Sequence, residues 1–264
     1  MLTNRLIACF DVIGGMVTKA NKFQDNFDIA PVEVMAERVY KMQIDEIIFY
    51  DIKASAEKRP IDIDMVTKTA KMVFVPFTVG GGIRNVDDMY RVLKAGSEKI
   101  SVDSMAVRNP DIVYDGAKAF GSQCIVLSMQ VKNVGVSKSI PSGYEIYIDG
   151  ARLSTGMDAV EWAKRGEALG AGEIVVNSID NDGTHIGYDI AITDVISKNV
   201  NIPVIASGGA GKPEHLADVF KTGASAAIIS SMLYSPKLER NYSVQELKEY
   251  LTSCNTPVRP WIDR

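Results

Sequence analysis

PFTVGGGIR (76–84) returns 127 residues later as PVIASGGAG (203–211). In both copies a short apolar run ends in a glycine cluster, the pattern of a buried strand that turns sharply into the next element. The same offset relates LKAGSEKISVDSM (93–105) to FKTGASAAIISSM (220–232), and EII (46–48) to EIV (173–175). Any two strand–turn–helix units share a glycine or two, but matches at one fixed spacing point to a duplicated half. Working outward, the candidate strands are 6–11, 46–51, 75–80, 98–103, 124–130, 173–178, 202–207 and 225–230. Segments of helical periodicity follow them, such as PVEVMAERVYKM (31–42) and NVDDMYRVLKAG (85–96). Eight β-then-α units without a linker predict an α/β fold, a parallel (β/α)8 TIM barrel with a two-fold half-barrel repeat. One domain is expected over residues 1–264, with halves at approximately 1–122 and 123–264. The longest connection, 131–156, carries GYEIYIDG, which reads as a small β-hairpin on the fifth loop.

Composition narrows the function. A chain of 264 residues, 46% hydrophobic, can bury a large core, and its net charge of -4 leaves no basic footprint for nucleic acid. No apolar run approaches the roughly 20 residues that span a bilayer. The opening MLTNRLIACFDV enters a strand pattern at once, so no leader is expected. Cys9, Cys124 and Cys254 have no metal or disulfide spacing, and His185 and His215 are too far apart to suggest a metal site. A cytoplasmic protein without metal, cofactor, membrane or nucleic-acid partner is expected.

In a barrel of this kind the chemistry belongs to the loops at the C-terminal ends of the strands. Gly80–Gly82 and Gly208–Gly209 lie just past strands, where glycine lets a backbone approach an anion. The next unit ends in Asp103–Ser104 in one half and Ser230–Ser231 in the other. Hydroxyls and N–H groups of a following helical turn would complete two phosphate cradles, one per half. Tight βα turns alone would explain one glycine cluster; two in register favour phosphate. Asp182 and Gly183, in SIDNDGT, strengthen the second. Asp11 ends the first strand, with Lys19 on its loop, and is a candidate acid/base or a turn aspartate.

Four charges interrupt apolar strand contexts: Arg5, Glu46, Lys99 and Glu173. All begin their strands, at the end of the barrel opposite the loops above. Isolated charges there are costly unless paired, so two cations and two anions are expected to neutralise one another as a ring. Such a ring is either a salt-bridge plug or a polar gate.

RLIACFDV, DEIIFYDIKAS, PFTVGGGIR, EKISVDS, FGSQ, NSIDNDGT and PVIASGGAGKPEH together resemble the cyclase (synthase) subunit of imidazole glycerol phosphate synthase, from Met1 to about Val258. The resemblance implies an ammonia-dependent cyclase/lyase of histidine biosynthesis. Its substrate is a doubly phosphorylated ribulosyl formimino aminoimidazole carboxamide nucleotide. The products are imidazole glycerol phosphate and aminoimidazole carboxamide ribotide. It further implies a glutaminase partner at the N-terminal face, in a heterodimer, with ammonia crossing the barrel interior. Asp11 matches the first catalytic carboxylate and Lys19 the substrate-loop lysine. Gly82 and Ser104 fall in one phosphate site, and Asp182, Gly183, Gly209, Ser230 and Ser231 in the other. Arg5, Glu46, Lys99 and Glu173 match the ammonia gate.

Three departures stand out. Gln130 occupies the place of the second catalytic aspartate, where an amide can orient but cannot exchange a proton. Asp103 replaces an asparagine beside the first phosphate and would repel it unless its side chain turns away. The segment ANKFQDNFDIAP (20–31) stands where the family has a glycine- and arginine-containing lid. Two other readings fit an intact gate with an altered mouth. One is an ammonia-channelling paralogue that serves a sugar amidotransferase in acetamidino-sugar synthesis; the other is a non-catalytic partner of a glutaminase.

Overall fold

The computed structural model describes residues 2–21, 25–54, 57, 59–234 and 238–263. In chain order the first half runs β1 (Arg5–Ile13), β2 (Met16–Asn21), β3 (Asp25–Pro31), α1 (Val32–Lys41), β4 (Glu46–Asp51), α2 (Ile63–Ala70), β5 (Phe77–Gly80), α3 (Val86–Lys94), β6 (Lys99–Val102), α4 (Ser104–Arg108) and α5 (Asp111–Phe120). The second half runs β7 (Ile125–Asn133), β8 (Tyr144–Ile148), β9 (Leu153–Asp158), α6 (Ala159–Ala168), β10 (Glu173–Ser178), α7 (Ile190–Asn199), β11 (Val204–Ser207), α8 (Pro213–Phe220), β12 (Ala226–Ile228), α9 (Ser230–Tyr234) and α10 (Val244–Ser253).

Parallel pairing runs β10-β11-β12-β1-β4-β5-β6-β7, and β7 pairs β10 to close the barrel. All eight strands anticipated from sequence are present. The helices start where short polar side chains cover their free N–H groups. Asp62 accepts from Asp64 and Met65 at the head of α2, Asn85 from Asp88 at α3, Asp158 from Val160 and Glu161 at α6, and Ser243 with Glu246 forms a capping box on α10.

Two apolar cores result. The larger lies between sheet and helices, around Phe10, Phe49, Phe77 and Trp162. The smaller fills the lumen with Ile7, Ile48, Val126, Val175, Ile205, Ala226 and Ile228. Because successive strand residues alternate between these faces, the sequence of every strand can be read in steps of two. Arg5, Ile7, Cys9 and Asp11 therefore share one face of β1, as do Glu46, Ile48 and Tyr50 on β4. Lys99 and Ser101 share a face along β6, with Asp103 just past its end, as do Val126, Ser128 and Gln130 along β7.

Two hairpins extend the barrel's upper rim. The expected loop carrying Lys19 is instead β2–β3, which continues β1 antiparallel through Asp11↔Thr18, Val12↔Val17 and Ile13↔Met16. The hairpin expected at GYEIYIDG is larger than its motif. Only Tyr144–Ile148 forms its first strand, which pairs β7 on one side and β9 on the other.

Candidate active site

Asp11 and Gln130 lie at the same, C-terminal end of the barrel. Their strands β1 and β7 are four steps apart in either direction around the eight-membered ring, so the two positions stand across the mouth from each other. Asn177 on β10 is in register with Gln130, and Ser207 on β11 with Asn177, which continues a polar rim around one side.

The Gln130 amide does not stand alone. Its Nε2 donates to Asp103 Oδ2 at 2.9 Å, linking the ends of β6 and β7. Asp103 occupies the N-cap position of α4 yet makes no side-chain cap. Its carboxylate is turned toward Gln130 instead. The group is reachable from the mouth but closely surrounded by protein. Burial raises its pKa to about 6; Asp149 adds to the rise, while the Gln130 hydrogen bond and Arg108 oppose it. Arg108 is itself held by Asp149 at 2.5 Å, so its charge is shared.

The glycine clusters have a packing reason that repeats with the sequence. A Cβ on Gly81 would sit 2.2 Å from the Asp51 carbonyl oxygen, and one on Gly208 would sit 2.8 Å from that of Ser178. Asp51 and Ser178 are related by the same 127-residue offset, so each half folds its glycine turn over the end of the preceding strand. Gly209 meets the Gly187 carbonyl oxygen at 1.9 Å from its would-be Cβ, and its φ is +98°. Gly208 also lies against Asp182, with 3.4 Å from its would-be Cβ to the Asp182 Cα. Asp182, Gly183 and Gly209 thus come from two interlocked loops, and Tyr188 Oη ties the first of them to the Ile228 carbonyl on β12 at 2.7 Å. Gly183 faces open space. Gly82 is packed against the loop after β4, near Ala54, Arg59 and Ile61.

The hydroxyls of Ser230 and Ser104 are already engaged. Ser230 Oγ accepts from the Cys9 N–H and donates to the Cys9 carbonyl, each at 2.6 Å. Ser104 Oγ accepts from the Asp149 N–H at 2.9 Å. Ser231 follows Ser230 in the first turn of α9, half-buried. The Lys19 backbone lies in β2, and its side chain lies outside the described residues.

At the opposite end the four interrupting charges form a closed ring. Arg5 Nη1 meets Glu46 Oε2 at 2.6 Å and Glu173 Oε1 at 2.9 Å, and Lys99 Nζ meets Glu46 Oε1 at 2.7 Å and Glu173 Oε2 at 3.0 Å. Each cation touches both anions. Thr78 Oγ1 adds a long contact of 3.5 Å to Glu46. Between ring and mouth, Tyr50 reaches into the lumen, its Oη 3.2 Å from Ser101 Oγ and 3.5 Å from Ser128 Oγ. Burial, chiefly, pushes its phenol pKa up, so the hydroxyl stays neutral. A Cβ on Gly80 would fall 2.5 Å from the Tyr50 ring, so this glycine makes room for it. Sequence reading passed over Tyr50, although counting in twos from Glu46 leads to it.

Among the described residues no helix is long and apolar enough to cross a membrane. The family model described as "Histidine biosynthesis protein" matches residues 5–239. Relatives from Desulfatibacillum aliphaticivorans and Syntrophobacter fumaroxidans are each 54% identical over 260 residues, covering 98% of this chain and 98% and 99% of their own lengths. Another, from Solidesulfovibrio magneticus, is 54% identical over 261 residues. All three are named imidazole glycerol phosphate synthase subunit HisF. With a barrel, a polar mouth and a family match over nearly its whole length, the chain belongs to the histidine-biosynthesis protein family and, within it, to the HisF subunits of imidazole glycerol phosphate synthase.

Proposed function

We propose that this cyclase subunit takes ammonia through the Arg5–Glu46–Lys99–Glu173 ring and uses it at the opposite mouth. There the doubly phosphorylated ribulosyl formimino nucleotide is closed to imidazole glycerol phosphate and cleaved to the aminoimidazole carboxamide ribotide. The observation that carries this reading is the closed ring of ion pairs at 2.6–3.0 Å at the end of the barrel opposite the mouth. A hydrophobic plug would seal the barrel floor at lower desolvation cost than four charges. A ring in which each cation shares two anions can open one side chain and keep the rest paired. Lys99, with one flexible stem and two carboxylate partners, is the natural swinging member. The hydroxyls of Thr78, Tyr50, Ser101 and Ser128 offer a small neutral molecule hydrogen bonds between ring and mouth.

A gate needs a source. Leu2 is 96% exposed and Phe74 is 79% exposed, and both precede strands, on the same end as the ring. A glutaminase subunit docked there would cover both and deliver ammonia without loss to solvent. A contact of standard size, about 1,200–2,000 Å² in total, is expected.

At the mouth Asp11 acts as acid/base and Gln130 orients. The substrate's two phosphates lie at the two related loop sets, Gly82 with Ser104 and Asp182, Gly183, Gly209, Ser230 with Ser231. Since the Ser104 and Ser230 hydroxyls already have partners, the anions are held mainly by main-chain N–H groups of the first turns, which lack intrahelical acceptors. Lys19 is assigned to the substrate through the family resemblance, its side chain lying outside the described residues. The test of the gate is the complex with the glutaminase, assayed with glutamine and with ammonium. Lys99→Ala should change the ratio of the two turnovers; an unchanged ratio would leave the ring as a plug.

A further inference from the structure

Ring closure and C–N cleavage both move protons, and an amide at position 130 can move none. The mouth nevertheless holds a second carboxylate one strand away. We propose that Asp103 is the second acid–base group of this site and that Gln130 is its positioning partner, the two positions having exchanged the carboxylate and amide roles across β6 and β7. This deepens the cyclase reading and rests on it.

The geometry makes the case. Asp103 directly follows β6, past the lumen-facing Lys99 and Ser101, and its bond to Gln130 brings the carboxylate to the mouth. It stands at the head of α4, where an aspartate ordinarily caps, but its side chain caps nothing. Its Oδ2 instead accepts the 2.9 Å bond from Gln130, which lies across the mouth from Asp11. The amide fixes the carboxylate's direction without taking its proton. The charges packed around it do not hold it ionised. From α4 comes Arg108, which is bound to Asp149 of the β8–β9 turn, so that a cation and an anion arrive together. From β4 comes the neutral phenol of Tyr50, and from β7 the uncharged Gln130, whose donated hydrogen bond favours the carboxylate but does not outweigh burial. A carboxyl whose burial places its titration near pH 6 is populated in both forms close to neutrality, as an acid–base group requires.

The proton balance is simple. The acid form of Asp103 gives its proton to the amino nitrogen that leaves with the electron pair of the breaking C–N bond. The resulting carboxylate then takes a proton from the ammonia-derived nitrogen, which loses hydrogen as it joins the ring. Asp103 returns to its starting form, and no other reactant is needed beyond ammonia and the nucleotide; water is released from the ketone oxygen.

The experiment uses the purified chain with ammonium chloride and the doubly phosphorylated nucleotide, measuring kcat and KM from pH 5 to 9. Asp103→Asn should lower kcat about 10²–10⁴-fold. Its KM should stay within a few-fold, and the limb near pH 6 should disappear. The double exchange Asp103→Asn with Gln130→Asp should recover at least tenfold over Asp103→Asn, since it restores one carboxylate and one amide on the same two strands. Wild-type kcat and an unaltered pH profile in Asp103→Asn would overturn the proposal. So would a loss without recovery in the double exchange while the limb near pH 6 persists. An unmutated chain that binds the nucleotide and never turns it over would sink the cyclase reading and this assignment with it, whereas an active chain indifferent to Asp103→Asn sinks the assignment alone.

Discussion

A carboxylate held against its solvation preference costs stability, and Asp103→Asn should give that stability back in a pH-dependent way. In the folded chain the group titrates at about 6 against an ordinary 3.8. The native state therefore binds this proton more tightly than the unfolded state does between those values. Stability must fall as pH rises through that window, the reverse of a salt-bridged aspartate. That rise corresponds to about 3 kcal/mol at most. Because Asp103 is partly accessible from the mouth, solvent screening reduces this to about 1–2 kcal/mol. The penalty is absent below about pH 4 and complete above about pH 6. Asparagine is nearly isosteric, carries no charge and can still pair with Gln130. Relative to the unmutated chain, Asp103→Asn should gain little at pH 4 and about 1–2 kcal/mol at pH 7–8. For a chain of this size that is a Tm rise of about 2–8 °C, or an equivalent shift in a urea midpoint. A stability difference that stays flat from pH 4 to 8, or that runs the other way, would refute the raised titration and with it the picture of a buried carboxylate poised at the mouth.

Other outcomes follow from the same contacts. Lys248 on α10 is 2% exposed and reaches Asp45 Oδ1 at 2.7 Å, while Asp45 Oδ2 accepts the Leu6 N–H; Lys248→Ala strands a buried carboxylate and should lower unfolding free energy by about 3–5 kcal/mol, read by urea titration. Gly209→Ala places a methyl 1.9 Å from the Gly187 carbonyl at a φ of +98°, so the two loops must part. It should destabilise the chain by more than about 1 kcal/mol and raise KM for the nucleotide more than it lowers kcat. A normal KM would remove Gly209 from the phosphate site.

Much of this was legible from residue patterns, for identifiable reasons. The fixed 127-residue offset marked the half-barrels because Gly81 and Gly208 perform the same close packing in each, over Asp51 and Ser178. The ring was legible because charges in apolar strand contexts have few affordable arrangements. Less legible were features that depend on a neighbour strand. ANKFQDNFDIAP reads as loop because nothing in it announces pairing, yet part of it continues β2 into β3 against the end of β1. The hydrogen bonds that Ser104 and Ser230 make were not legible, because their partners, Asp149 and Cys9, are distant in sequence. Asp103 read as a liability beside a phosphate, because its direction is set by Gln130, 27 residues away on the next strand.

Whether ammonia-dependent turnover survives the amide of Gln130 is decided by incubating the purified chain with ammonium chloride and the doubly phosphorylated nucleotide and separating the products. Imidazole glycerol phosphate and aminoimidazole carboxamide ribotide should appear together, one of each per nucleotide consumed, with no glutaminase present. Nucleotide that binds and is recovered unchanged at every pH from 5 to 9 would contradict the cyclase reading.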